Sequence, residues 1–324
     1  MAERADTAQA QGTAARDHGG NLSAAIARFG GIRADWIDLS TGINPTPYPL
    51  PPMVAADWTA LPDSEAQEAL LTAARAYWQV PEGADVLAAP GASALIARLP
   101  ALRPAARVRI ETPTYNEHAA AFDHFGWQIA AAGEAEAQVS VHPNNPDGRL
   151  WRGDELLAPF CVIDESFCDV CPDQSHIARA ATPGTVILKS FGKFWGLAGL
   201  RLGFAIGDPA LIAGLRAAMG PWAVSGPALR AGTCALKDPA WAKATRVTLA
   251  ASAARLDRLM QRAGAQTIGG TDLFRLYEVE DATLWQERLA RAHVWSRIFP
   301  YSTRYLRLGL PPEDRWSQLE DALT

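Results

Sequence analysis

The stretch from Val186 to Phe204 places two cations on tight backbone between two apolar runs. It reads V-I-L-K-S-F-G-K-F-W-G-L-A-G-L-R-L-G-F, so Lys193 and Arg201 lie among glycines that follow a β-branched run. Burial lowers the pKa of a lysine and makes a free amine available near neutral pH, as Schiff-base formation with an aldehyde requires. An arginine fork can hold a phosphate through paired hydrogen bonds. An aldehyde that carries a phosphate indicates pyridoxal phosphate as the cofactor.

Two lysines are candidates for binding that aldehyde. The chain has four, which are Lys189, Lys193, Lys237 and Lys243. The last two lie in a stretch, L-K-D-P-A-W-A-K-A, that is typical of a solvent-exposed helix surface. Lys189 or Lys193 must therefore form any imine. The alternative is that the glycines and a lysine only make an ordinary turn after a strand, since short motifs also occur by chance.

Length and charge limit the class of protein. With 324 residues, 48% of them hydrophobic, the chain can bury the core of one large domain and a smaller companion. The net charge of −5 and the lack of a basic run argue against a nucleic-acid partner. No apolar stretch is long enough for a membrane span, and the N-terminus has no apolar signal region. We expect a cytoplasmic protein that acts on a small molecule.

Cysteine usage fits a reducing compartment. There are four cysteines, which are Cys161, Cys168, Cys171 and Cys234. Cys168 and Cys171 form a C-x-x-C, but no second close pair of cysteines or histidines completes a set of four ligands. We therefore expect ordinary thiols and no metal site, with zinc or a redox disulfide as the minor alternative.

The elements that must position these residues follow a regular pattern. Between residues 86 and 206, short apolar strands alternate with helical stretches, which is typical of a mainly parallel sheet covered by helices on both faces. Ser64 and Gln67 predict a capping box at the start of one of these helices. After residue 226 the pattern changes to two helices and then to strands of a mixed α+β unit. The predicted fold is α/β, with a mainly parallel central sheet in a large domain plus a smaller α+β domain.

This pattern also predicts a division of the chain. We expect a flexible tail at residues 1–16 and an N-terminal segment at residues 17–50 that packs with the small domain. The large cofactor-binding domain is predicted at residues 51–225 and the small domain at residues 226–324. We expect the boundary between them in the segment P-W-A-V-S-G, from Pro221 to Gly226, where the pattern shifts.

The candidate ligands follow the predicted strands, at whose carboxyl ends such sheets bind their ligands. Gly91, Ala92 and Ser93 precede a helical run and offer backbone N–H groups and a hydroxyl to a phosphate. Asp164 ends an apolar strand, where burial would neutralise it unless a cation lies near. A protonated pyridine nitrogen would be such a cation, and would make the cofactor ring an electron sink. A structural hydrogen-bonding role is the alternative.

Several motifs, taken in order, resemble those of a known family. N-N-P-D-G, D-E-S-F and S-F-G-K-x-x-G-L-A-G-L-R resemble the fold-type-I pyridoxal-phosphate enzymes related to histidinol-phosphate and class I/II aminotransferases. Within them, D-H-G-G-N-L, S-T-G-I-N-P, P-T-Y-N-E-H-A and G-P-W-A-V-S-G-P-A-L are similar to the threonine-phosphate decarboxylases of cobalamin biosynthesis. The resemblance covers nearly the whole chain and implies a homodimer. It also implies a lyase that converts L-threonine O-3-phosphate to (R)-1-amino-2-propanol O-2-phosphate.

Two other functions remain open at this stage. An aminotransferase acting on a phosphorylated or acidic amino acid, like histidinol-phosphate aminotransferase, needs the same residues. A protein that binds the cofactor but has lost catalysis is the third possibility. Decarboxylase and aminotransferase differ in which bond at the substrate Cα is held perpendicular to the cofactor ring, so that orientation of the substrate selects the reaction.

The resemblance also implies a role for individual residues. Lys193 would bind the cofactor aldehyde and Asp164 the pyridine nitrogen, while Tyr115 would stack on the ring; these three form the expected catalytic set. Asn145 would contact the phenolic oxygen of the ring. The cofactor phosphate would be held by Gly91, Ala92, Ser93, Ser190 and Arg201. The substrate would be bound by His18, Gly19, Gly42, Asn145, Arg297 and Arg307.

Three positions depart from the wider aminotransferase pattern. Phe167 replaces a tyrosine that commonly touches the phenolic oxygen, and Gly192 replaces a serine before the reactive lysine. One hydrogen bond to the ring and one to the phosphate are therefore missing. Leu61 stands where a tyrosine often reaches the cofactor of the partner subunit. We therefore do not expect the chain to cross the subunit interface at that point.

Overall fold

The computed structural model describes residues 18–324, so the predicted tail at residues 1–16 lies outside the described part. The helices are α1 Leu22–Phe29, α2 Ala55–Thr59, α3 Ser64–Tyr77, α4 Ala92–Ile96, α5 Asn116–His124, α6 Pro209–Met219, α7 Gly226–Leu236, α8 Pro239–Arg262, α9 Ala282–Arg291 and α10 Trp316–Leu323. The strands are β1 Ile37–Asp38, β2 Asp85–Ala89, β3 Arg107–Ile110, β4 Gln128–Ala130, β5 Ala137–Val141, β6 Phe160–Asp164, β7 Thr185–Ser190, β8 Gly203–Gly207, β9 Gln266–Thr271, β10 Phe274–Glu278, β11 Val294–Trp295, β12 Arg297–Phe299 and β13 Ser302–Gly309.

A seven-stranded sheet in the order β2-β8-β7-β6-β5-β3-β4 forms the centre of the molecule. All neighbouring strands run parallel except β8, which is antiparallel to both β2 and β7. The α/β class with a mainly parallel sheet is therefore confirmed. In the register of the sheet, Val141 lies beside Asp164, and Asp164 lies beside Leu188. The carboxyl ends of β5, β6 and β7 thus meet at one edge, which is where the sequence places the candidate ligands.

The strands of this sheet contribute side chains to two separate hydrophobic clusters. Ile163 and Ile187 belong to one cluster, whereas their neighbours Val162 and Val186 belong to the other. Successive residues of a strand point to opposite faces, so the near-continuous apolar runs are explained by a sheet that is covered on both sides. Each of these strands is therefore packed from above and below.

A second sheet lies in the C-terminal part of the chain. Its four strands have the order β12-β13-β10-β9 and are all antiparallel to their neighbours. Arg297 on β12 lies directly opposite Arg307 on β13. The extended segment 294–299 is divided at Ser296, because β11 pairs with β1 of the N-terminal segment and not with the four-stranded sheet. This pairing ties residues near 37 to the C-terminal part of the chain.

The start of α3 differs from the prediction. Asp63, and not Ser64, is the N-cap, since its carboxylate accepts a hydrogen bond from the Ala66 N–H at 2.8 Å. Ser64 is the first residue inside the helix. Aspartate and serine are both favourable N-caps, and the negative charge adds a favourable interaction with the helix dipole. None of the helices in residues 18–324 is long and apolar enough to cross a membrane.

Candidate active site

Two cavities meet at the edge of the central sheet and share Tyr115, Asn145 and Lys193. The inner cavity has a volume of about 150 Å³, and the outer cavity about 400 Å³. Eight of the nine predicted cofactor residues line the inner cavity, which are Ala92, Ser93, Tyr115, Asn145, Asp164, Ser190, Lys193 and Arg201. Five of the six predicted substrate residues line the outer cavity, which are His18, Gly19, Asn145, Arg297 and Arg307. The structure thus brings most of both predicted sets together around one lysine.

Lys193 lies where the two cavities join, in the loop that follows β7. Its Nζ lies 3.4 Å from the carbonyl oxygen of Thr41 and 5.1 Å from the centre of the Phe167 ring. No carboxylate of residues 18–324 forms an ion pair with it. Burial, together with the positive charge of Arg307, lowers the pKa of Lys193 to about 8. A neutral amine is therefore available near physiological pH.

Lys189, the other candidate, points away from the cavities. Its Nζ lies 2.6 Å from a carboxylate oxygen of Glu165 and 3.7 Å from one of Asp169. All three side chains are buried. Burial by itself would lower the pKa of Lys189, but the two carboxylates raise it above its usual value. A lysine held charged in this way is a structural cation, so the geometry favours Lys193 as the reactive amine.

Asp164 ends β6 as a buried carboxylate with a complete set of donors on one side. Its Oδ1 accepts hydrogen bonds from the hydroxyl of Ser166 at 2.6 Å and from the Ser166 N–H at 3.0 Å. Its Oδ2 lies 2.8 Å from Nε2 of His118. Burial raises the pKa of Asp164, but His118 and Ser166 outweigh that effect and hold the pKa below its usual value. The group is thus an anion, as a partner of a pyridinium nitrogen must be.

His118 is a site residue that the sequence reasoning did not single out. It lies on α5, is fully buried, and its Nδ1 has no hydrogen-bond partner within the described residues. Its spacing is the signal that could have found it. His118 follows Tyr115, the N-cap of α5, by three residues, so the two side chains lie on the same face of the helix. We assign to it the positioning of the Asp164 carboxylate.

The predicted phosphate-binding residues form a cradle of donors at one end of the inner cavity. Gly91 has φ = +86° and caps α4, and a Cβ at this position would lie 2.5 Å from Nη2 of Arg201. The guanidinium thus lies directly against the backbone that enters α4, and only glycine allows this approach. Ser93 and Ser190 add hydroxyl groups to the lining. A guanidinium, hydroxyls and free helix N–H groups are donors that fit a phosphate.

Arg307 and Arg297 bring two guanidinium groups to the outer cavity. Arg307 is only 5% exposed, and it donates hydrogen bonds to Oδ1 of Asn145 and to the carbonyl oxygen of Ser40. Burial and the charge of Arg297 lower the pKa of Arg307 to about 10. Within residues 18–324 no carboxylate pairs with Arg307, and its Nε has no hydrogen-bond partner. A buried cation of this kind indicates an anionic ligand.

The first described residues lie across the outer cavity. Nε2 of His18 lies 2.9 Å from Oε1 of Glu117, which belongs to α5. The Gly20 N–H donates a hydrogen bond to the hydroxyl of Ser40 at 2.7 Å. A Cβ on Gly19 would lie 2.5 Å from the carbonyl oxygen of Ser40, so this close approach requires glycine. Glu117 and Ser40 were not among the predicted site residues.

Gly42 is the predicted substrate residue that the structure places outside the outer cavity. It has φ = +66°, and a Cβ there would lie 3.1 Å from the ring of Phe274. The guanidinium of Arg307 lies 5.1 Å from the centre of that same ring. Gly42 therefore acts on the site through packing, because its backbone allows Phe274 to support Arg307.

The three residues that depart from the aminotransferase pattern lie in different environments. Phe167 is buried and packs edge-on against Phe274, with the ring centroids 4.9 Å apart. The N–H of Gly192 donates to the hydroxyl of Ser190 at 3.3 Å. Leu61 is 66% exposed. Phe167 thus gives the inner cavity an apolar wall where a tyrosine would offer a hydroxyl.

A group of possible metal ligands lies near the C-x-x-C motif. Donor atoms of His142, Glu165 and Cys168 lie within 4.8 Å of one another. Glu165 is paired with Lys189, while His142 bonds the carbonyl of Gln174 through Nε2 and the N–H of Trp151 through Nδ1. These groups already have protein partners, so we continue to expect no metal here. The four cysteines are free thiols.

Comparison with known proteins agrees with this fold. The family model for aminotransferase class I and II matches residues 35–320, and the chain belongs to this family. It is 40% identical to the threonine-phosphate decarboxylase of Sinorhizobium sp over 94% of this chain and 97% of that protein. The threonine-phosphate decarboxylase of Pseudomonas aeruginosa is 39% identical, over 95% of this chain and 97% of that protein.

A solved structure shows the same fold at low sequence identity. The structure of histidinol-phosphate aminotransferase from Sinorhizobium meliloti in complex with pyridoxal-5'-phosphate has a TM-score of 0.82 with 18% identity. The alignment covers 98% of this chain and 97% of that one. The resemblance inferred from the motifs is therefore confirmed both by sequence relatives and by architecture.

Proposed function

We propose that this chain is a pyridoxal-phosphate-dependent lyase that decarboxylates L-threonine O-3-phosphate to (R)-1-amino-2-propanol O-2-phosphate in cobalamin biosynthesis. The observation that carries the proposal is the meeting of the two cavities at Lys193, with two guanidinium groups beyond it. Near-full-length similarity to proteins named threonine-phosphate decarboxylase supports the choice of reaction. Arg307 is buried without a carboxylate partner among residues 18–324, and an amino acid that carries both a carboxylate and a phosphate supplies such an anion.

The described residues fit the cofactor. Lys193 would hold its aldehyde, Asp164 its pyridine nitrogen and Asn145 its phenolic oxygen, while the cradle around Arg201 would hold its phosphate. Bound pyridoxal phosphate supplies an electron sink for a bond broken at the substrate Cα. Asp164 would maintain that sink, since its carboxylate stays ionised and can stabilise a proton on the ring nitrogen.

The chain's own contribution to the rate is orientation. Arg307 is locked by Asn145 and by the backbone of Ser40, so a substrate anion placed on it is held at a fixed distance from Lys193. Positioning of this kind lowers the entropic part of the barrier. It also determines which bond at Cα is aligned for cleavage. The aminotransferase alternative requires the same cavities but another orientation. It has less support because relatives that are 40% and 39% identical over nearly the full chain are named threonine-phosphate decarboxylases.

The products of a single incubation test the proposal. The purified protein, loaded with pyridoxal phosphate, is incubated with L-threonine O-3-phosphate, with and without a 2-oxo acid as amino acceptor. We expect release of carbon dioxide and formation of the amino-alcohol phosphate. Formation of a 2-oxo acid from the substrate, without carbon dioxide, would favour the aminotransferase, and no reaction would favour a protein that only binds the cofactor.

Substitution of the paired arginines tests the substrate assignment. Loss of one cationic fork leaves a buried anion unpaired, which typically costs about 2 to 5 kcal/mol, or roughly thirtyfold or more in affinity. The ratio of kcat/KM for phosphorylated over plain threonine should fall by that amount in Arg297→Ala or Arg307→Ala. The control is Arg262→Ala, since Arg262 is exposed at the end of α8. An unchanged ratio in both variants would contradict the assignment.

Assembly and location belong to the same proposal. We expect a homodimer, supported by exposed apolar side chains on α2 and before α7, namely Trp58 at 71% and Trp222 at 55%. Asp57 of α2 contacts Arg230 of α7 at 2.7 Å, so the two segments are neighbours. Analytical ultracentrifugation of the wild type and of Trp58→Asp tests this. A cytoplasmic location, supported by the free thiols, and the domain division at residue 225 also remain predictions.

A further inference from the structure

The turn between β12 and β13 places a tyrosine at the rim of the outer cavity. Phe299 pairs with Ser302, so Pro300 and Tyr301 form a two-residue connection. Tyr301 lines the outer cavity together with both arginines. It is 52% exposed, and nothing in the sequence reasoning marked it as a site residue. A short turn fixes its backbone tightly relative to the two strands that carry Arg297 and Arg307.

Packing fixes the ring of Tyr301 as well. The ring stacks on Phe299, with the centroids 5.2 Å apart and the planes at 30°. The guanidinium of Arg297 lies 5.5 Å from the centre of the same Phe299 ring. The side chains of Arg297, Phe299 and Tyr301 therefore form a connected group, in which the two polar ends are held in place by one buried ring.

The hydroxyl group of Tyr301 has unused hydrogen-bonding capacity. It forms no hydrogen bond with any residue in the described range 18–324. Partial burial raises the pKa of Tyr301 and the charges of Arg307 and Arg297 lower it. The net pKa is about 12. The phenol thus keeps its proton at physiological pH and can donate to an anion. A donor beside two cations, held by a short turn, is suited to an anionic group of a ligand.

The order of the cations indicates which anion reaches Tyr301. Arg307 lowers the pKa of Lys193, whereas Arg297, which lies opposite Arg307 in the antiparallel pair, is not among the charges that act on this lysine. If the substrate is that of the proposed function, its carboxylate is bonded directly to Cα, whereas its phosphorus atom is three bonds away. The carboxylate therefore fits Arg307, near Lys193, and the phosphate fits the outer group around Arg297.

We propose that Tyr301 is a specificity-determining residue whose hydroxyl donates a hydrogen bond to the substrate phosphate beside Arg297, and so distinguishes phosphorylated from unphosphorylated amino acids. This inference rests on the proposed function. A guanidinium fork contacts two oxygens of a phosphate and leaves a third terminal oxygen. The phenol supplies a donor for that oxygen. A hydrogen bond to a charged group is among the stronger ones, so its loss should lower affinity about tenfold.

The substitution Tyr301→Phe tests this, since it keeps the stacked ring and removes only the hydroxyl. With the loaded enzyme, KM for L-threonine O-3-phosphate should rise about tenfold while kcat stays within about twofold. The constants for plain L-threonine should not change. The control is Tyr305→Phe, which removes a hydroxyl from the same hairpin without altering the lining of the outer cavity. Equal losses for both substrates, a fall in kcat alone, or no change would each overturn the inference.

A binding measurement separates this inference from the proposed function. Calorimetry with inorganic phosphate, on protein whose cofactor site is loaded, should give a Kd about tenfold higher in Tyr301→Phe than in wild type and Tyr305→Phe. If wild type releases no carbon dioxide but this difference is found, the proposed function fails and the role of Tyr301 stands. If carbon dioxide is released and phosphate binds both proteins equally, the role of Tyr301 is wrong and the proposed function stands.

Discussion

Lys189 and Lys193 stand four residues apart in sequence and have opposite surroundings. Lys189 is enclosed on one side of the sheet, where Glu165 and Asp169 hold its charge. Lys193 lies at the junction of the cavities, where its Nζ donates to the carbonyl oxygen of Thr41 at 3.4 Å. The pKa of Lys189 is raised, whereas that of Lys193 is lowered to about 8.

The comparison shows that burial alone does not decide whether a lysine is reactive. Burial acts to lower the pKa of both amines, so the opposite directions of the two shifts come from the charges that surround them. Around Lys189 the carboxylates complete a buried ion pair, which contributes to folding only while all partners are present. Around Lys193 the neighbouring charges are the cations Arg307 and Arg201, with Asp164 as the opposing carboxylate. The cavity side is thus arranged to bind anions.

The largest expected effect is the loss of covalent cofactor binding in Lys193→Ala. Without the amine of Lys193 the cofactor aldehyde has no attachment point, because Lys189 is held as a charged structural group on the other side. Treatment with pyridoxal phosphate and borohydride should then leave the mass of the variant unchanged. Lys189→Met, if folded, should still gain the mass of one reduced cofactor. A folded Lys189→Met that fails to do so would reverse the assignment.

The next effect concerns stability on the enclosed side. Glu165→Gln removes the closer carboxylate and leaves only Asp169, 3.7 Å away, to compensate the buried charge of Lys189. Breaking a buried pair in this way typically costs about 3 to 5 kcal/mol of the free energy of unfolding. Urea denaturation followed by fluorescence measures it. Asp154→Asn is the control, since Asp154 pairs with Arg152 on the surface, where the expected loss is below about 1 kcal/mol. Equal losses in the two variants would contradict the comparison.

A smaller effect is expected from changes to Asp164 and to His118, which holds its pKa down. Asp164→Asn should retain the cofactor and lose about a hundredfold in turnover, because a neutral amide cannot stabilise the protonated ring nitrogen. His118→Phe should lose less at neutral pH. Since His118 holds the pKa of Asp164 down, its removal raises that pKa, and activity should then fall at a higher pH on acidification than in wild type.

The pH profile of kcat identifies this role of His118. The control is His124→Asn, because His124 is exposed at the end of the same helix, α5. A His118→Phe protein with reduced activity but an unshifted acid limb would show that His118 only packs beneath the site.

The smallest effect is a shift in the reactivity of Lys193 itself. A lowered pKa means that the neutral amine is present above about pH 8, so capture of pyridoxal phosphate by the cofactor-free protein should accelerate as pH rises through that value. Arg307→Met removes a cation that lowers this pKa, and the midpoint should move upward. Stopped-flow absorbance follows the reaction. Arg262→Ala should leave the midpoint unchanged, and an equal shift there would show a general effect of charge.

The sequence by itself determined the architecture and the position of the inner cavity. Short continuous apolar runs, and glycines that precede a helix, are local signals, and they located the strands that end at Val141, Asp164 and Ser190. A parallel sheet then brings those carboxyl ends to one edge, and this does not depend on which side chains follow the strands. The predicted cofactor residues that line the inner cavity follow from this rule together with the family motifs.

Only the tertiary structure decided how each group is charged and held. His118 meets Asp164 across 46 residues of sequence, and Arg307 meets Asn145 across 162. The residues alone left Lys189 and Lys193 as equal candidates, because nothing local shows that one of them faces two carboxylates. The same holds for Tyr301, whose role depends on which residues surround it. Reactivity depends on desolvation and on charges from distant segments, and these exist only once the chain is folded.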